Sequence, residues 1–124
     1  GEDGAAAAYI TRILPAKNGT VYKCEMSCIE APAGSNTSLD IDLVSSTHSL
    51  AEDVVYDSGA GSQELSLIAA GANWTKGMRK ISAVGLNWTN LAQDYIYLAN
   101  GSGANSGGTY TAGKFIIKFY GANF

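Results

Sequence analysis

The residues of this chain best suited to chemistry are two carboxylates, Asp40 and Asp42. They alternate with the apolar residues of Leu39–Leu43, so an extended strand would project both carboxylates from one face, with Cα atoms about 7 Å apart. Paired carboxylates can hydrolyse glycosides, and carboxylate oxygens bind hard cations such as calcium. A strand with one wet face shows the same alternation. The pattern therefore favours a solvated acidic face, and a weak calcium site at Asp40, Asp42 and Asp53 is the alternative.

Other reactive groups are few. The one histidine, His48, lies in a polar stretch, where we expect it to be solvated. The chain has no G-x-S-x-G elbow and no Walker A sequence. Two cysteines and a distant histidine do not supply the four ligands of a structural zinc site. The sequence therefore predicts a protein that is not an enzyme and has no cofactor, with calcium as the one open alternative.

The two cysteines, Cys24 and Cys28, are four residues apart in a predicted strand. Their Cα atoms would then be about 13 Å apart, whereas a disulfide needs less than about 7 Å. We expect two free, buried thiols.

Four aromatic residues are candidates for contact with a ligand or a partner. Trp74 and Trp88 lie in two copies of a short Asn-Trp-Thr motif, and Tyr95 and Tyr97 follow them. Exposed rings stack on sugars and are enriched at protein interfaces. The alternative is that both tryptophans close the ends of a hydrophobic core.

Length and charge limit the number of domains and the kinds of partner that the chain is expected to have. A chain of 124 residues fits one domain, 1–124, in which we expect residues 1–4 to be disordered or a cloning remnant. The net charge is −3, and only Lys76, Arg79 and Lys80 form a basic cluster, so no nucleic-acid partner is expected. No run of about 18 apolar residues occurs, and no membrane partner is expected either.

Apolar residues recur at every second position, which predicts strands. In Val21–Ile29, the side chains of Tyr22, Cys24, Met26 and Cys28 share one face. Further strands are predicted at Leu39–Leu43, Leu65–Leu67 and Phe115–Phe119, and with weaker patterns at Tyr9–Leu14, Met78–Val84 and Tyr95–Ala99. Seven or eight short strands predict an all-β, single-domain antiparallel β-sandwich or jelly roll, with a barrel as the alternative.

Two local signals refine this fold. The Asn18-Gly19 pair predicts a hairpin that joins a strand ending near Leu14 to one beginning near Val21. Ser49–Glu52 matches a capping box and predicts a single helical turn.

Four segments carry a resemblance to a known group of proteins: Tyr9–Thr11, Gly19–Met26, Asp40–Leu43 and Tyr110–Gly121. Their strand patterns resemble those of small structural proteins of marine tailed bacteriophages. The resemblance implies a β domain in the virion, of the capsid decoration (cement) kind. It also implies a homo-oligomer, most simply a trimer, bound to a capsid protein. It assigns no functional residue.

Two other hypotheses compete with the virion component. The paired Asn-Trp-Thr motifs, the tyrosines and the possible calcium site would also suit a carbohydrate-binding or host-receptor-binding β-sandwich module. A hydrolase using Asp40 or Asp42 is the third hypothesis, and it rests on their spacing alone.

Overall fold

The computed structural model describes residues 9–35, 39–46, 64–82, 95–100 and 110–123. These contain one helical turn and seven strands: β1 Thr11–Arg12, α1 Pro15–Asn18, β2 Thr20–Gly34, β3 Ile41–Ser46, β4 Glu64–Ile68, β5 Arg79–Ile81, β6 Tyr95–Asn100 and β7 Tyr110–Ala122. The predicted helical turn at Ser49–Glu52 lies outside the described residues, as do His48, Asp53 and Trp88. No helix in the described ranges has the length and apolarity needed to cross a membrane.

The strands form two antiparallel sheets. One has the order β1-β6-β3-β4, and the other has the order β5-β2-β7. The predicted all-β, sandwich-like fold is confirmed. Neighbouring strands are mostly distant in sequence, so long-range pairing, above all of β2 with β7, holds the architecture together.

The alternation in β2 and β7 produces the core. Cys24, Met26 and Cys28 are at most 1% exposed, and each lies opposite an apolar residue of β7. The partners on β7 are Phe119, Ile117 and Phe115. The four-stranded sheet adds the buried side chains Ile41, Leu43, Leu67, Ile68 and Ile96. Burial of one large apolar side chain contributes about 1.5–3 kcal/mol, so these contacts are the main stabilising term.

The start of β2 departs from simple alternation. The β2–β7 register shifts between Val21 and Lys23, as at a β-bulge. Because a bulge adds one residue to one strand, it reverses the faces of the residues before it. Val21 is buried and Tyr22 is 53% exposed. The prediction that Tyr22 shares the buried face of Cys24 was therefore wrong.

The Asn18-Gly19 pair does not form the predicted hairpin. β1 pairs with β6, and β2 pairs with β5 and β7. The pair instead ends α1: the Asn18 side chain accepts a hydrogen bond from the Leu14 amide at 2.8 Å, and Gly19 has a φ of 63°. A positive φ just after the last helical residue is the usual glycine C-cap. An Asn-Gly pair is common both in type I′ turns and at helix ends. The sequence alone therefore could not distinguish the predicted hairpin from the observed helix end.

β3 is buried on both faces. Leu43 and Val44 point to opposite sides of the sheet, and both are fully buried. Their cross-strand neighbours on β6 include Leu98 for Leu43 and Tyr97 for Val44, and Tyr97 is 1% exposed. The prediction of a half-exposed strand at Leu39–Leu43 was therefore wrong. β3 lies between β6 and β4, where neither edge is free.

Candidate functional site

The two carboxylates singled out in the sequence do not form a solvated acidic face. Asp40 is 6% exposed and Asp42 is 3% exposed. Asp40 precedes the centrally placed β3, and Asp42 is its second residue. Burial raises the pKa of both carboxyl groups above the usual value for aspartate, and the charge of Asp40 raises the pKa of Asp42 further. The solvated-face prediction was wrong.

Backbone amides of the segment after β4 bind these carboxylates. The Ala70 amide donates to Asp42 Oδ1 at 2.8 Å. The amides of Gly71 and Ala72 donate to Asp40 and oppose the rise in its pKa. Three successive amides around a residue of positive φ, Gly71 at 64°, make a concave anion site of the nest type. The chain fills this site with its own carboxylates.

Lys80 connects this carboxylate cluster to the other sheet. Its position on β5 lies opposite Met26, so its side chain leaves the inner face of the three-stranded sheet. Its ammonium group donates to the carbonyl oxygen of Ala70, and it lies 3.5 Å from that of Ala69. Its positive charge lowers the pKa of both aspartates, against the larger effect of burial. We call Asp40, Asp42, Ala70 and Lys80 the carboxylate clasp.

The described contacts of the clasp are hydrogen bonds and charge interactions within the chain. Among the described residues, no group of three or more histidine, cysteine or acidic side chains could hold a metal ion. Asp42 Oδ1 already accepts an amide proton, and the Lys80 ammonium supplies positive charge at Ala70. Asp40 Oδ1 is buried without a hydrogen-bond partner. Calcium takes six to eight oxygen ligands, and the third predicted ligand, Asp53, lies outside the described residues.

Trp74 belongs to the core and anchors the segment after β4 that contains Ala70. Its side chain is 1% exposed, and its indole N–H donates to the Ile41 carbonyl oxygen at 2.7 Å. Its ring meets that of Phe115 edge-on, with centroids 5.2 Å apart. The neighbouring Asn73 side chain accepts from the Leu39 amide at 2.8 Å. These contacts attach the segment to both sheets.

For two of the four predicted contact residues, the prediction was wrong. Trp74 and Tyr97 are each 1% exposed, so neither ring has surface for a ligand or partner. The alternative prediction, a tryptophan in the core, is confirmed for Trp74. Trp88 lies outside the described residues.

Tyr95, the remaining candidate among the described residues, is half-buried on β6, next to the edge strand β1. Tyr9 meets its ring edge-on at 4.9 Å, and the Arg12 guanidinium lies 4.8 Å from its ring centroid. Tyr9 and Ile10 are 54% and 49% exposed. We call Tyr9, Ile10, Arg12 and Tyr95 the β1 edge cluster.

A larger exposed surface lies on the three-stranded sheet, on the face opposite the core. Four large apolar side chains stand on this sheet and are about half exposed: Tyr22 at 53%, Ile29 at 45%, Ile81 at 48% and Ile116 at 48%. Ile81 lies opposite Glu25 and Ile116 lies opposite Ser27, both outward positions of β2. We call this side of the sheet, with its charged residues, the outer face.

Ion pairs organise the centre of the outer face. Glu25 binds Lys23 at 2.8 Å and Arg79 at 2.6 Å, and these two partners leave it 7% exposed. Their hydrogen bonds, first that of Lys23 and then that of Arg79, lower the pKa of Glu25 to about 2. The Lys23 ammonium also lies 4.6 Å from the centroid of the Tyr120 ring. The carboxylate is thus fully engaged within the sheet.

The sequence contained only a weak signal for the outer face. In β7 the core residues alternate with Lys114, Ile116 and Lys118, so one isoleucine falls among the outward lysines. Ile29 likewise falls on the wet side of β2, next to a register shift. An apolar residue out of phase with the core is the signal that could have indicated a contact surface.

Both cysteines are free and buried, as predicted. Burial raises the pKa of the Cys24 thiol to about 11 and also raises that of Cys28. Such thiols are poor nucleophiles, because the thiolate is the reactive form.

Searches against protein-family models, curated proteins and solved structures give no match to this chain.

Proposed function

We propose that this chain is a non-enzymatic structural component of a tailed-phage particle, of the capsid decoration kind, that binds a capsid protein through its outer face. The observation that carries the proposal is the placement of exposed apolar side chains. Of the seven large hydrophobic residues that are at least 40% exposed in the described ranges, four lie on the three-stranded sheet. The assignment to a phage particle rests on the resemblance in strand pattern.

The physics of the sheet supports a contact role. Apolar side chains clustered on a wet surface usually mark an interaction site. β2 and β7 are 15 and 13 residues long, so the outer face stands on a long, regularly paired ribbon. At the β7 edge, Lys114 and Lys118 oppose uncontrolled pairing with other strands. A surface of this kind can bind one partner without aggregating.

The β1 edge cluster provides a second surface, suited to contacts between copies. Tyr9 and Ile10 stand exposed beside the outermost strand of the four-stranded sheet. A homo-oligomer, with the trimer as the expected form, would bury these side chains. The capsid contact and the contact between copies then use different parts of the molecule.

The carbohydrate-binding alternative has lost much of its support. Two of its four aromatic candidates, Trp74 and Tyr97, lie in the core. Its calcium candidates Asp40 and Asp42 are engaged in the clasp.

The test uses particles of the phage whose genome encodes the chain. Purified protein is mixed with particles that lack it and is then sedimented, while its mass in solution is measured by analytical ultracentrifugation. We expect wild type to form an oligomer and to sediment with the particles. Ile116→Asp should abolish sedimentation and leave the oligomer intact. Ile10→Asp, an equally exposed isoleucine on the other surface, should dissociate the oligomer. Failure of wild-type protein to bind particles would refute the proposal.

A further inference from the structure

The outer face carries an excess of positive charge. Its cations are Lys23, Arg79, Lys114 and Lys118, and its carboxylates are Glu25 and Glu30. Within the described ranges, four cations against two anions give this face a net charge of +2, although the whole chain carries −3. Half of the eight Lys and Arg residues of the chain therefore stand on one side of one sheet.

The positive charges of this face are on the whole more exposed than its negative charges: the side chains of Arg79 and Lys114 are 54% and 76% exposed, against 9% for Glu25 and 46% for Glu30. The Glu25 carboxylate is occupied by Lys23 and Arg79 and is almost fully covered. Glu30 pairs with Lys114 at 3.1 Å, an exposed pair that water screens strongly. Lys118 is exposed, and none of the ion pairs in the described ranges includes it.

Its net positive charge makes this face a poor partner for itself. An isologous contact would place the same patch of two copies together and oppose +2 to +2. Like charges brought together at an interface disfavour a complex, and opposite charges steer and favour one. The exposed isoleucines add apolar area between the cations.

We infer that the outer face docks an acidic surface of a different protein, one whose carboxylates meet Lys118 and Arg79 and whose apolar side chains cover Ile81 and Ile116. This inference deepens the proposed function and rests on its claim that the outer face is a contact surface. The binding surface of the partner would present carboxylates that alternate with apolar side chains, as on an acidic strand or sheet.

The test uses the full chain, labelled with ¹⁵N, and two capped peptides about as long as β7. In one peptide glutamate alternates with valine and threonine, and in the other lysine replaces each glutamate. We expect the glutamate peptide to shift amide signals of the outer face, to bind about tenfold more tightly than the lysine peptide, and to weaken as salt is added. Lys118→Glu should weaken the binding about tenfold. Lys17→Glu, the same charge change at an exposed residue of α1, should leave it unchanged.

Several results would overturn the inference: no binding of the glutamate peptide, equal binding of the lysine peptide, signal shifts away from the outer face, or a homo-oligomer that Ile116→Asp dissociates. Failure here is distinguishable from failure of the proposed function. Protein that binds particles but not the glutamate peptide would overturn only the acidic partner. Protein that binds the glutamate peptide but no particles would overturn only the role in the virion.

Discussion

Replacing Trp74 by phenylalanine tests the role of this residue as a core anchor. Phenylalanine keeps a ring beside Phe115 but removes the indole N–H that donates to the Ile41 carbonyl at 2.7 Å. A buried carbonyl left without its partner costs about 1–3 kcal/mol. The smaller ring also removes apolar volume equal to about two methylene groups, at about 0.8 kcal/mol each. We expect Trp74→Phe to lower the free energy of unfolding by about 3–5 kcal/mol.

The assay is urea unfolding followed by far-UV circular dichroism, because the substitution removes one of the two tryptophan fluorophores. Small domains have total stabilities of about 5–15 kcal/mol, so the expected shift of the midpoint is large. The control is Tyr22→Phe, which removes a polar group from a ring that is 53% exposed and should change stability by less than about 0.5 kcal/mol. An equally small effect of Trp74→Phe would refute the core assignment.

Three further predictions concern single residues. Gly19→Ala should lower stability by about 2 kcal/mol or more, because a Cβ at this positive φ would lie 2.5 Å from the Ala122 carbonyl oxygen. Gly71→Ala, which has a similar φ but open space around the Cβ, should cost only about 1 kcal/mol in the same unfolding experiment, and equal losses would contradict the steric reasoning. The raised pKa of Asp42 means that the native state binds more protons than the unfolded state between the unfolded pKa, near about 4, and the folded pKa. The stability contributed by Asp42 therefore falls as pH rises through that window. In parallel urea titrations, the free energy of unfolding of Asp42→Asn, minus that of wild type, should be higher at pH 8 than at pH 4. A difference of the opposite sign would contradict the direction of the pKa shift. With its pKa at about 11, Cys24 should resist iodoacetamide at pH 8 in the native protein and react fully in urea, as seen in the intact mass. Rapid native alkylation would show that the thiol is not buried.

Period-two patterning was enough to predict the fold class, because a buried sheet face forces apolar residues into alternate positions. It correctly predicted that Cys24, Met26 and Cys28 share the buried face of β2. It could not place residues next to a register shift, as Tyr22 shows, because one inserted residue reverses the face without leaving a mark in the composition.

The prediction of a solvated acidic face at Asp40 and Asp42 was wrong for a different reason. Alternation of Asp40 and Asp42 with apolar residues says which side of a strand they occupy, and it does not say whether that side is wet. That depends on strand order, and β3 lies in the middle of its sheet, where the amide of Ala70 and the charge of Lys80 reach the cluster from distant parts of the chain. Local sequence contains no information about such long-range neighbours. The aromatic residues were ambiguous in the same way, since Trp74 suits both a core and an interface.

The proposed role in the virion is tested most simply by cryo-electron microscopy of tailed-phage particles incubated with this protein. We expect density for the domain on the shell, with β2, β5 and β7 turned toward a capsid protein and carboxylates of that protein near Lys118 and Arg79. Particles that lack the protein, or a domain whose outer face is turned to solvent, would contradict the proposed role.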